Sequence, residues 1–146
     1  AQIVGLDISL ALWSNISRAT GGTRPNIRVY EGDSTKDESW LLLRHFFFTG
    51  GFHLIIDDGC HDGGCLEKTL RQGWALLRSG GVYIGEDSAP IAKLLKLTQE
   101  IQRNPRGSRA RNRLFRTSEP GSLTAASVDT IQFGRDFWVL TKYQPH

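Results

Sequence analysis

Four times in this chain an apolar run ends on an acid and then turns. Val4-Gly5-Leu6 leads to Asp7, and the alternating residues 26–30 lead through Glu31-Gly32 to Asp33. Leu54-Ile55-Ile56 leads to Asp57-Asp58, and Val82-Tyr83-Ile84 leads through Gly85 to Glu86-Asp87. Apolar runs this short, bounded by glycine and polar residues, read as buried strands. The segments between them have helical spacing. Strand alternating with helix predicts an α/β fold with a mostly parallel sheet. In such sheets ligands bind outside the carboxyl ends of the strands. Four acidic strand ends on one edge therefore point to a site rather than to solvated surface.

The same reading predicts each element. Residues 2–8 form a strand, and residues 10–18 a helix with Ser9 as its N-cap, broken by Gly21, Gly22 and Pro25. A strand over 26–30 precedes a helix over 36–48, whose apolar side carries Trp40, Leu41, Leu43 and Phe47. Gly50-Gly51 stop it, and residues 52–56 return as a strand. Leu66, Leu70, Trp74 and Leu77 recur at helical spacing over 65–77. Gly80-Gly81 is the expected helix stop, before a strand over 82–84. A helix over 90–102 turns Ile91, Leu94, Leu95 and Ile101 inward. Residues 103–121 read as a polar loop. Residues 128–133 and 137–141 pair as a closing hairpin around Gly134-Arg135-Asp136.

A chain of 146 residues, 39% apolar and 23% charged, suits one domain with a core of its own. No apolar stretch approaches the roughly eighteen residues of a membrane span, and no signal-peptide pattern opens the chain; a cytoplasmic protein is expected. The net charge is +3, and six arginines fall between Arg103 and Arg116. Only Phe115 is aromatic in that stretch, so base stacking is poorly served and a solvated loop is favoured over nucleic-acid binding. Cys60 and Cys65 lack the paired spacing of a zinc site and are too few for a disulfide framework. Reduced thiols are expected. The four tryptophans are spread out and read as packing residues.

Asp58, His61, Glu86 and Asp87 form the sharpest chemical set. If the two strands before them are neighbours, three carboxylates converge, and such a cluster repels itself unless neutralised. Hard cations such as Mg²⁺ take oxygen ligands of this kind and keep open positions for water or substrate. His61 stands where an imidazole can accept a proton from a polarised hydroxyl. Asp7, at an earlier strand end, can bind a ribose diol through two carboxylate oxygens. The bland alternative is that Asp57 or Asp58 caps the next helix and Glu86-Asp87 is a solvated turn.

The run FHLIIDDGCHDGGCLEKTLRQGWALLRSGGVYIGEDSA resembles the core of class I S-adenosylmethionine-dependent methyltransferases. Within them it is most similar to the metal-dependent O-methyltransferases that act on macrolide and related glycosides. In that group one strand ends in D-D-G-S-H and the next in E-D, after a turn of the L-x-P-G-G type. The same places here read Asp57-Asp58-Gly59-Cys60-His61, Ser79-Gly80-Gly81 and Glu86-Asp87, with Cys60 for serine and Ser79 for proline as departures. The resemblance implies a Rossmann-like methyltransferase sheet with a C-terminal antiparallel hairpin. It also implies S-adenosylmethionine and Mg²⁺ as cofactors and a small-molecule hydroxyl acceptor, a sugar or glycoside, in natural-product biosynthesis.

Residue by residue, the resemblance gives Asp58, Glu86 and Asp87 to Mg²⁺ and makes His61 the general base. Asp7 would hold the cofactor ribose, Gly32, Asp33 and Ser34 would line the adenine, and Asp57 would face the methionine end. The family's first strand and its glycine-rich loop have no counterpart here, and the chain contains no methionine. An N-terminally truncated catalytic domain spanning residues 1–146 is the expectation. Proteins named cephalosporin hydroxylases share the D-D-G-S-H and E-D signature, so an iron-dependent hydroxylase is a rival, although the two histidines and one carboxylate of such a site are not met with His61 alone. A non-catalytic remnant and a basic nucleic-acid-binding module are the other rivals. Oligomeric state is left open, a homo-oligomer included.

Overall fold

The structure is a computed structural model describing residues 1–19, 22, 24–47, 50–87, 92–103, 123–124 and 127–145. The chain divides into two compact units, Ala1–His45 and Phe46–His146.

In the first unit, β1 (Ile3–Asp7), α1 (Ala11–Ala19), β2 (Ile27–Glu31) and α2 (Asp37–Phe47) follow in order, α2 running into the second unit's first residues. Strands β1 and β2 pair in parallel, with Ile3 opposite Ile27 and Asp7 opposite Glu31. Ser9 accepts the Ala11 N–H at 3.3 Å, as its capping position predicts. Helix α2 buries Trp40 and Leu43. Leu41, expected beside them, is 59% exposed: the buried stripe of α2 is narrower than its apolar composition, and three consecutive leucines cannot all share one helical face. The Phe47 side chain lies outside the described residues.

In the second unit come β3 (Phe52–Asp57), α3 (Gly63–Leu76), β4 (Leu77–Glu86), α4 (Ala92–Arg103), β5 (Val128–Phe133) and β6 (Phe137–Lys142). The sheet order is β3-β4-β6-β5. Strands β3 and β4 are parallel, joined by the α3 crossover, whereas β4–β6 and β6–β5 are antiparallel. This mixed sheet with its closing hairpin is the α/β arrangement the alternation predicts.

The core sits between α3 and this sheet. Leu66, Leu70, Trp74 and Leu77, the four residues picked out by spacing, are all buried in one cluster with Tyr83, Leu94, Leu123, Val128, Trp138 and Leu140. Tyr83 stacks on Trp138, their rings parallel to within 1° and 5.6 Å apart. Gly85 makes that packing possible, because a Cβ there would stand 2.2 Å from the Trp138 ring. In α4, Leu94 is buried but Leu95 is 49% exposed; the side chains of Ile91 and Ile101 lie outside the described residues, as do residues 104–122 and with them most of the arginine-rich stretch.

One expected boundary moves. Helix α3 ends at Leu76 and the chain enters β4 at once, so Gly80-Gly81 lie inside the strand rather than between helix and strand. The stop comes from elsewhere: Leu77 is extended and its N–H returns to the Trp74 carbonyl. The Lys142 ammonium on β6 donates to the carbonyls of Trp74 (2.8 Å) and Leu77 (2.6 Å). A cation at a helix C-terminus satisfies orphan carbonyls and the helix dipole together. Burial lowers the Lys142 pKa. No helix among the described residues is long and apolar enough to cross a membrane.

Candidate functional site

Two clusters form at strand carboxyl ends, one in each unit. In the first, Asp7 closes β1 and its carbonyl accepts the Gly32 N–H at 2.8 Å, which ties the β1 end to the loop after β2. The Asp7 carboxylate accepts the Ser9 N–H at 2.9 Å. Asp33 folds its own loop, accepting from the Thr35 N–H (2.8 Å) and the Thr35 hydroxyl (2.7 Å) through Oδ1. These are Asx turns, in which a short acid caps the backbone two residues on. The Ser34 carbonyl accepts the Trp40 indole N–H at 2.7 Å, anchoring the loop to α2. A Cβ on Gly32 would come within 2.8 Å of Leu6 and Ser39, so glycine lets the loop lie against both. Asp7, Gly32, Asp33 and Ser34 are thus brought together at one end of the β1–β2 pair.

In the second unit, Asp57 pairs with Gly85 across β3 and β4. Asp58 and Glu86 therefore leave adjacent strand ends side by side in the sheet direction, and Asp87 follows. Asp58, His61 and Asp87 are exposed and Glu86 is half-buried. Asp87 has φ 47°, the one positive value outside glycine among the described residues. Aspartate tolerates this left-handed region better than most residues, and such backbone concentrates at functional sites. Among the described residues no three His, Cys, Asp or Glu side chains are drawn together as a metal-holding group. The donors suit a hard cation in kind and in their place along the sheet edge, but the side chains are not gathered on one point.

Asp57 is engaged differently from Asp58. It is buried, and its Oδ2 accepts from the Thr69 hydroxyl of α3 at 2.5 Å and from the Tyr83 phenol of β4 at 2.7 Å. Oδ1 faces the Gly59 N–H at 3.4 Å. Burial first, then the charge of Asp57 and its hydrogen bond, push the Tyr83 phenol well above its ordinary pKa and keep it a donor. Helix α3 is capped by neither Asp57 nor Asp58. Asp62 does it, its carboxylate accepting the Gly64 N–H at 2.9 Å.

The loop holds a further tie. Cys60 and Cys65 are joined as a disulfide, with Cα atoms 6.2 Å apart, which corrects the expectation of two reduced thiols. Five residues of separation place the second cysteine in the first turn of α3, folded back beside the loop, a pairing that thiol spacing alone does not reveal. Thr69 and Tyr83, the two partners of Asp57, are not picked out by the sequence pattern. The signal for Tyr83 was a hydroxyl in an otherwise apolar strand, Val82-Tyr83-Ile84; a buried phenol usually has a partner.

No protein-family model and no curated protein matches the sequence. Solved structures do. The MycE methyltransferase from the mycinamycin biosynthetic pathway, in complex with Mg and SAH, superposes with a TM-score of 0.68 at 19% identity, over 98% of this chain and 38% of that one. The same methyltransferase with Mg, SAH and mycinamycin VI gives 0.64 at 19% identity, over 98% and 36%. A possible exported protein from Bordetella parapertussis gives 0.53 at 17% identity, over 98% and 54%. The chain shares the fold of the MycE structures and spans well under half of that protein's length.

Proposed function

We propose that this chain is the catalytic core of an S-adenosylmethionine-dependent, Mg²⁺-dependent O-methyltransferase acting on a hydroxyl of a sugar or glycosylated natural product in the cytoplasm. The observation that carries the reading is the placement of two polar clusters at strand carboxyl ends in a fold shared with a methyltransferase solved with Mg and SAH.

When bound, S-adenosylmethionine supplies the methyl group and Mg²⁺ the positive charge that gathers the acceptor oxygens. Asp58, Glu86 and Asp87 would hold the cation, all with the oxygen donors that Mg²⁺ prefers. His61, exposed on the loop beside Asp58, accepts the proton of the acceptor hydroxyl on an imidazole nitrogen. Asp7 holds the ribose, and the Gly32-Asp33-Ser34 loop, fixed by its own Asx turn and by Trp40, lines the adenine. The Asp57 carboxylate is committed inward, so its part is played through the loop that it begins. The contribution of the protein is mainly positioning and charge stabilisation.

Calorimetric titration of S-adenosylhomocysteine, with and without Mg²⁺, tests the reading. Binding is expected, strengthened by an acceptor glycoside, and lost in Asp7→Ala. Folded protein that takes up neither S-adenosylhomocysteine nor Mg²⁺ overturns it.

A further inference from the structure

Asp57 and Asp58 are neighbours in sequence with opposite fates. Asp57 is 8% exposed, and its two donors are buried more deeply, Thr69 at 1% and Tyr83 at 0%. Those donors come from different elements, α3 and β4, so one carboxylate oxygen ties three elements at the point where β3 ends. A buried carboxylate is held in place by such bonds, because turning it away would strand both it and the phenol. The next residue of an extended strand points to the other side. Fixing Asp57 inward therefore fixes Asp58 outward and sets where the loop to His61 begins.

We infer that Thr69 and Tyr83 are positioning residues of the site: through Asp57 they hold the 58–62 loop, so that Asp58, and not Asp57, is the acid available to a ligand. This rests on the proposed reading for its ligand, a divalent cation, but not for the loop itself. Thr69 has a second acceptor, the Leu66 carbonyl at 3.1 Å, within its own helix. The Tyr83 hydroxyl reaches 26 residues back to Asp57.

The test compares Tyr83→Phe and Thr69→Val with Thr69→Ser, which keeps the hydroxyl, and with Val128→Ala, which opens the core of the second unit away from the loop. Two quantities are measured in each: amide hydrogen exchange resolved to residues 58–62, and affinity for Mg²⁺ and for S-adenosylhomocysteine separately. Tyr83→Phe and Thr69→Val are expected to speed exchange in the loop roughly tenfold beyond any global change, the scale of one lost buried hydrogen bond. Mg²⁺ affinity falls by roughly tenfold or more, as for other supports of metal ligands, while S-adenosylhomocysteine affinity without metal holds. Thr69→Ser restores both readings, and Val128→Ala leaves loop exchange no faster than its global loss of stability requires.

Loop exchange in Tyr83→Phe and Thr69→Val that merely matches Val128→Ala overturns the inference. So does a loss of both affinities in proportion to lost stability. If the unsubstituted protein binds neither ligand, the methyltransferase reading falls, and the exchange arm still decides whether Asp57 and its two donors hold the loop.

Discussion

The two strand ends solve the same problem at different ranges. At the end of β1–β2, Asp7 and Asp33 are each engaged by a backbone N–H two residues away. At the end of β3–β4, Asp57 is engaged by hydroxyls 12 and 26 residues away. The first arrangement rests on contacts within short stretches of chain. The second exists only once α3 has packed across β3 and β4. Local ties are cheap to form, and at the exposed Asp7 turn cheap to lose, because a freed N–H there finds water. A long-range tie in a dry place is costly to break, because the partner left behind finds nothing.

The largest effect that sharpens this contrast is expected from Asp57→Ala. Thr69 and Tyr83 both lose the buried carboxylate they donate to, at a cost of about 2–3 kcal/mol in denaturant unfolding. Gly85→Ala should follow at about 1–3 kcal/mol, since its methyl would overlap a fully buried indole; a shift in tryptophan fluorescence would report Trp138 moving. Opening the Cys60–Cys65 bridge, by reduction or by Cys65→Ser, should cost up to about 2 kcal/mol for so short a loop. In a reducing cytoplasm the pair would stand as thiols, so thiol counting with an alkylating reagent after gentle purification belongs with that experiment.

Alkaline titration gives a smaller and more specific signature. The Tyr83 pKa is raised in the fold, so its contribution is fully present below the ordinary phenol pKa of about 10 and is lost as pH rises from there through the folded value. One group of this kind steepens the fall in stability by at most about 1.4 kcal/mol per pH unit. Tyr83→Phe should remove that part of the slope and leave the neutral-pH curve shape alone. The smallest effect belongs to the first unit: Asp33→Ala should cost about 0.5–1.5 kcal/mol, visible in the melting of residues 1–45 by hydrogen exchange. An Asp33→Ala loss as large as that of Asp57→Ala would break the comparison.

Much of this was legible in the residue order. The alternation of strand and helix, the acids at strand ends, the Ser9 cap, the α3 stripe of Leu66, Leu70, Trp74 and Leu77, and the hairpin around Gly134-Arg135-Asp136 follow from contacts within a few residues. The differences share one cause. The apolar pattern turns Leu41 and Leu95 inward, yet which apolar residues of a helix are covered depends on what packs there. Gly80-Gly81 reads as the end of α3, yet Lys142, some 65 residues beyond Leu77, supplies the terminal partner.

By itself the sequence determined the class of fold and the acids that close its strands, because periodicity and turn chemistry act over three or four residues at a time. Tertiary structure alone decided that Asp57 turns inward and Asp58 outward, that Cys60 meets Cys65, and that a lysine closes the helix. Those outcomes hang on hydroxyls, sulfurs and an ammonium brought together across the fold, where burial makes an unpaired polar group too costly to leave.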